Sequence, residues 1–233
     1  MKKNIKHIFF DLDRTLWDFD LNSKEVLQDL VTEFEVLNRC NTSFEQFHDV
    51  YKAINENLWI KYRSGEITKD ELRSSRFFLS MKHFGWVDKS LGQKMEYEYI
   101  SRSPYKTNLL PGTIDTLNKL KEKYQLHIIT NGFKEVQKIK ITHSGLESYF
   151  NEVIVSEEVG FNKPDKHIFN YAIDKVGGNV SETVMVGDDY EADIKGSEAV
   201  GMWAIFCNFS GGFSKSLAHD YEIKMISEIT KFL

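Results

Sequence analysis

Five short apolar runs constrain this chain more than any other feature. "HIFF" (7–10), "LHIIT" (126–130), "EVIVS" (152–156), "TVMVG" (183–187) and "WAIFC" (203–207) are rich in β-branched and aromatic residues. A strand with one solvated face alternates apolar and polar side chains, whereas a continuous run marks a strand buried on both faces. Residues 112–124, 133–144, 164–177 and 189–200 read as helices between these runs, several opened by Pro, Asp or Gly and closed near Gly. Strands that alternate with helices form a parallel sheet through crossover connections. The expected fold class is therefore α/β: a Rossmann-like, three-layer core with a parallel sheet and helices on both faces.

The interval between the first and second runs breaks the alternation. Residues 18–107 hold no convincing strand, but "LNSKEVLQDLVTEFEVL", "SFEQFHDVYKAINENLWIKY", "TKDELRSSRFFLSMKHFG" and "LGQKMEYEYISRS" each carry an apolar stripe at helical spacing. A segment of that size needs a core of its own, so its aromatic stripes are expected to be bundle interior first and ligand contacts second. The expected domains are 1–17 with 108–233 for the sheet core, and 18–107 for an inserted all-helical domain.

At 233 residues the chain is long enough for one good core plus such an insertion. A net charge of −5 with scattered lysines and arginines gives no footprint for a nucleic-acid polymer, though a small phosphorylated molecule needs only one or two local cations or a metal. Cys40 and Cys207 form no C-x-x-C or Cys/His cluster, which argues against a zinc site or a disulfide framework. The start "MKKNIKHIFF" is basic, but Asp11 and Asp13 interrupt its apolar run and no small-residue cleavage site succeeds it. No apolar stretch approaches the ~20 residues that span a bilayer. A cytoplasmic monomer or dimer with no membrane partner is expected.

Open parallel sheets bind ligands outside the carboxyl ends of their strands. Just past the first four runs stand "DLDRT", "TNG", "SEEVGFNKPD" and "GDDYEAD". Singly these are ordinary caps and turns. Together they would gather carboxylates, a hydroxyl, an amide and a lysine on one edge, and clustered carboxylates repel unless a cation compensates them. Asp11, Asp13 and Asp188 offer hard oxygen ligands of the kind Mg²⁺ prefers. Lys163, Thr130 and the Asn131-Gly132 turn add groups that neutralise a phosphoryl oxygen, and an aspartate can attack phosphorus.

In this order "DLDRT", "TNG", "KPD" and "GDD…D" resemble the four motifs of the haloacid dehalogenase-like superfamily of hydrolases over nearly the whole chain. The resemblance implies a Rossmann-like core with an inserted helical cap, Mg²⁺ dependence and phosphoryl transfer through a covalent phosphoaspartate. It makes Asp11 the nucleophile and a Mg²⁺ ligand. Asp13 becomes the general acid/base, with its backbone carbonyl on the metal, and Asp188 a further ligand. Thr130, Asn131 and Gly132 would hold the phosphoryl oxygens, Lys163 would bridge nucleophile and phosphate, and Asp189 and Asp193 would supply charge or orient waters and Lys163. Dehalogenases of the superfamily lack an acid/base at the position of Asp13, so a phosphatase is favoured.

Two longer runs, residues 130–169 and "NENLWIKYRSGEIT" (55–68), look like the branch that dephosphorylates nucleoside 5′-monophosphates, pyrimidine ones in particular. In the cap, Trp59 could stack on a base beside Tyr62, and Arg63 or Arg76 could contact a polar group of the nucleoside. A phosphatase of sugar phosphates or other small phosphomonoesters is the alternative; a haloacid dehalogenase and a non-catalytic binding protein are more remote. Arg14 stands where a small residue is frequent in the superfamily, and Lys166 where a second proline is common after "KPD".

Overall fold

The computed structural model describes residues 4–209, 211 and 221–233; Lys2 and Lys3, two of the basic residues at the start of the chain, lie outside them. Among the described residues six parallel strands form one sheet: β1 His7–Phe10, β2 Gln125–Thr130, β3 Glu152–Val155, β4 Thr183–Gly187, β5 Trp203–Cys207 and β6 Tyr221–Ile223. Their order is β3-β2-β1-β4-β5-β6. Ile8, Phe10, Ile128 and Val186 pack into one apolar cluster and Phe9, Ile129 and Met185 into another. Successive residues of a strand point to opposite faces, so burial on both faces requires the unbroken apolar runs seen in the sequence. The sixth strand was not expected. It is three residues long and lies at the sheet edge.

The chain divides into two compact units, Met1–Phe19 with Thr107–Leu233, and Asp20–Lys106. Helices α1 Phe19–Glu33, α2 Val36–Cys40, α3 Phe44–Arg63, α4 Lys69–His83 and α5 Lys89–Arg102 make up the second unit. Ser43 with Gln46 and Thr68 with Glu71 form capping boxes that start α3 and α4, and the Asp88 side chain accepts from the Leu91 N–H to start α5. Leu27, Leu30, Phe47, Tyr51, Phe77, Met81 and Met95 are buried together as this unit's own core. The first stretch, expected as one helix, breaks where Glu35 adopts φ 53° and separates α1 from α2. Among the described residues no helix is long and apolar enough to cross a membrane.

The sheet unit adds α6 Thr113–Leu120, α7 Lys134–His143, α8 Ser156–Val159 and α9 Lys166–Lys175. Asp165 caps α9 by accepting from the His167 N–H, so Pro164 lies just before the helix and not in its first turn, and Lys166 is its first residue. The segment expected as a helix over 189–200 is a π-helical turn, Tyr190–Lys195, running into the short α10 Gly196–Glu198. Cys40 and Cys207 are buried free thiols.

Candidate active site

Strand order reverses at β1, which has β2 on one side and β4 on the other. Such a switch opens a crevice at the strand ends. Asp11 enters it directly after β1, its N–H donating to the Val186 carbonyl of β4 at 2.9 Å. Asp188 and Asp189 come directly after β4. Asp189 accepts from the Glu191 and Ala192 N–H groups at 3.1 and 3.0 Å and so caps the π-helical turn. That turn returns Asp193 to the end of β4, where a Cβ on Gly187 would lie 2.2 Å from Asp193 Oδ2. Glycine at 187 is thus required by the close approach of a carboxylate.

Carboxylate oxygens of Asp11, Asp188 and Asp193 lie within 4.8 Å of one another. The Lys163 ammonium, 2% exposed, sits 2.6 Å from Asp11 Oδ1, 2.6 Å from Asp193 Oδ1 and 2.8 Å from the Ile129 carbonyl oxygen. One partner faces each of its three protons. Thr15 donates its hydroxyl to Asp188 Oδ1 at 3.2 Å. Burial pushes the Asp11 carboxyl up to about 7; repulsion from Asp193 and Asp13 adds to this and Lys163 opposes it. Burial, then Asp11 and Asp193, hold Asp188 well above the usual carboxylate range, with the Arg14 charge opposing. Asp193 is raised by burial against the pull of Lys163. Burial would pull Lys163 down, but Asp11 and Asp193 outweigh it and hold the ammonium above its ordinary value. One ammonium against three carboxylates leaves negative charge unmatched. This donor set of hard oxygens fits a small divalent cation.

Beside this cluster, Thr130 ends β2 with its hydroxyl oxygen accepting from the Gly132 N–H at 3.1 Å and from Gln137 Nε2 at 2.7 Å. With both lone pairs used, the hydroxyl keeps its own proton to donate. Asn131 reaches the backbone of Lys163. Its Nδ2 donates to the Lys163 carbonyl at 2.9 Å and its Oδ1 accepts from the Lys163 N–H at 2.8 Å. The side-chain amide holds the lysine's backbone with one N–H and its carbonyl oxygen, a clamp that leaves the second N–H of Nδ2 unused.

Asp13, expected as the acid/base with its backbone carbonyl on the metal, directs its side chain to α7. Oδ1 accepts from Lys140 Nζ at 2.6 Å and Oδ2 from Gln137 Nε2 at 2.9 Å, both on α7. Sequence reasoning missed Gln137, Lys140 and Thr15. A signal for the first two was present: Phe133, Gln137, Lys140 and Ile141 share one helical face, and two long polar residues on an inward face call for partners. Arg14 adopts φ 62°, and its guanidinium lies 4.6 Å from the centre of the Phe19 ring.

In the helical unit, Trp59 and Tyr62 meet edge to face at 5.6 Å near the end of α3, half-buried like Arg63. Gly65, just after, adopts φ 76° in a turn that favours glycine. Arg76, expected to contact the nucleoside, lies in the interior of the helical unit. It is 5% exposed and pairs with Glu96, with Nε at 3.1 Å from Glu96 Oε2 and a second guanidinium nitrogen donating to Asn55 Oδ1 at 3.2 Å. Its guanidinium belongs to the helical interior, where a buried carboxylate demands it.

A doubly wound sheet with a buried acid cluster, a lysine and a hydroxyl at its switch point is the architecture of an α/β enzyme. The chain belongs to the haloacid dehalogenase-like hydrolase family, whose model matches residues 5–201. It is 35% identical to pyrimidine 5′-nucleotidase YjjG of Escherichia coli over 86% of this chain and 85% of that one. With pyrimidine 5′-nucleotidase PynA of Streptococcus pneumoniae the identity is 33%, over 87% and 84%. The magnesium-bound crystal structure of the HAD-hydrolase YfnB from Bacillus subtilis superposes with a TM-score of 0.87 at 28% identity, covering 98% of each chain.

Proposed function

We propose that the chain is a Mg²⁺-dependent phosphomonoesterase that hydrolyses nucleoside 5′-monophosphates, with a preference for pyrimidines, in the cytoplasm. The observation that carries the reading is the division of labour between two carboxylates two residues apart: Asp11 lies in the acid cluster with Lys163, while Asp13 has separate partners. Two nucleotidase relatives of similar length support the substrate class.

Asp11 attacks phosphorus, and the bond from phosphorus to the ester oxygen breaks as Asp13 gives that oxygen a proton. Asp13 then takes a proton from water, whose oxygen attacks the phosphoaspartate and frees inorganic phosphate and Asp11. Thr130 donates its hydroxyl proton to a phosphoryl oxygen, and Lys163 keeps Asp11 oriented while meeting the charge of the transferred group. Asp11 and Asp188 would hold Mg²⁺ with Asp193 as the third carboxylate of the cluster, and the family resemblance adds the Asp13 backbone carbonyl. The ion supplies positive charge that lets a phosphate dianion approach these acids. In the helical unit Trp59, Tyr62 and Arg63 are the residues we propose to read the base.

The test is a panel of phosphomonoesters assayed for kcat/KM with Mg²⁺ and with chelator. Pyrimidine nucleoside monophosphates should lead, chelation should abolish turnover, and Asp11→Asn should be inactive though folded. Preference for sugar phosphates would overturn the substrate assignment, and full turnover in chelator would overturn the metal.

A further inference from the structure

We propose that Gln137 and Lys140 are positioning residues that fix the carboxylate of Asp13 for proton transfer, a function of α7. The proposal rests on the acid/base role given to Asp13 above. Four observations converge on it. Both oxygens of Asp13 are engaged, Oδ1 by Lys140 at 2.6 Å and Oδ2 by Gln137 at 2.9 Å, so its carboxylate plane has a single orientation. Lys140 is 4% exposed, with its ammonium 4.2 Å from the centre of the Trp17 ring and 5.7 Å from that of Phe19. A buried ammonium is costly, and an apolar side chain would fill the same space with less penalty unless the charge is needed. Gln137 is wholly buried, and among the described residues its Oε1 has no hydrogen-bond partner while Nε2 serves two acceptors. A wholly buried amide whose two N–H groups each meet an acceptor is held in one orientation by them. Lastly, a Cβ on Gly132 would lie 2.3 Å from Gln137 Nε2, so the chain gives up a side chain there to admit the amide.

The two acceptors of Gln137 are Asp13 Oδ2 and Thr130 Oγ1. One nitrogen therefore ties the proton donor for the leaving oxygen to the hydroxyl that meets the phosphoryl group. That sets the spacing between the two points where the substrate must fit. Misplacing a reacting group by about 1 Å costs on the order of 100-fold in rate, which sets the size of effect to expect.

The test compares leaving groups in single turnover, which isolates the first chemical step. Uridine 5′-monophosphate must leave with a proton on its ester oxygen, whereas p-nitrophenyl phosphate releases a stable phenolate without one. Asp13→Asn should slow nucleoside release far more than phenolate release. Lys140→Met should show the same pattern, with roughly 10- to 100-fold loss on the nucleotide, little change on the aryl ester and KM nearly constant, whereas Gln137→Met, which also releases Thr130, should lose on both substrates and at least about tenfold more on the nucleotide. Lys140→Arg should retain more than Lys140→Met, and adding Lys140→Met to Asp13→Asn should cost nothing further. Equal losses on both substrates, or nucleoside release at the wild-type rate in both Met variants, would overturn the proposal. If Lys140→Met does not fold, Gln137→Met alone decides it. Asp13→Asn losses that ignore the leaving group would instead overturn the acid/base reading beneath it.

Discussion

Replacing Arg76 with Met tests whether this arginine serves the fold or the substrate. Its guanidinium and the Glu96 carboxylate are both about 5% exposed and meet as a bidentate pair, with the guanidinium carbon 5.1 Å from the centre of the Tyr99 ring. Deleting one partner of a buried pair costs about 3–5 kcal/mol, because the other charge stays behind without compensation. Exchanging both for apolar side chains is often neutral, so Arg76→Met with Glu96→Leu should recover to within about 1 kcal/mol of the parent. Glu96 supplies a second signature. Burial raises its carboxyl pKa above the ordinary value even with Arg76 opposing. Without Arg76 it rises further, and the native state then binds a proton that the unfolded chain gives up. Stability of the single variant must therefore fall as pH rises above about 4.5, and its deficit should shrink on acidification. Urea unfolding monitored by tryptophan fluorescence reads this, since Trp59 and Trp86 lie in the helical unit. A wild-type midpoint accompanied by a large rise in KM would refute the reasoning and return Arg76 to the substrate.

Two other outcomes concern the sheet unit. In Gly187→Ala the new Cβ would lie 2.2 Å from Asp193 Oδ2, so the turn must shift and Lys163 loses part of its anchor; activity titrated with Mg²⁺ should show at least about tenfold weaker half-saturation, and an unchanged curve would remove Asp193 from the cation site. In chelator, Asp11 holds its proton up to about pH 7 in the folded protein against an ordinary value of 3.8. Stability should thus fall between about pH 4 and 7, by up to about 4 kcal/mol, and Mg²⁺ should stabilise more at pH 7.5 than at pH 5. A metal-free melting temperature that rises over that interval would contradict this.

The legible parts of the fold were those where burial leaves few alternatives. The runs at 7–10, 183–187 and 203–207 coincide with β1, β4 and β5, since a strand covered on both faces has to be apolar throughout. β6 escaped because three residues at a sheet edge carry no periodicity. The break at Glu35 escaped because glutamate is a good helix former, and only its left-handed φ marks the end of α1. In the site, the segments just past the strands held Asp11, Thr130, Lys163, Asp188 and Asp193, which the sheet gathers. The residue type of Asn131 was legible, but its partner was not: the Lys163 backbone is 32 residues away in sequence. Gln137 and Lys140 lie inside a helix, where a search of strand ends does not look.

The surroundings of Asp11 and Asp13 suit the two different roles proposed for them. Asp11 shares a single ammonium with Asp193 and faces Asp188, so its charge is under-compensated by the side chains around it. Asp13 has the Lys140 ammonium and the Gln137 amide as its own partners. A nucleophile that needs a metal and a proton carrier that must be aimed cannot share one environment, and a strand end alone would give them the same one. The difference is supplied from outside the strand, by the loop carrying Lys163 on one side and α7 on the other. Both lysines are nearly fully buried, at a desolvation cost that packing does not repay, and such local departures from the most stable choice are expected where a chain holds a working site.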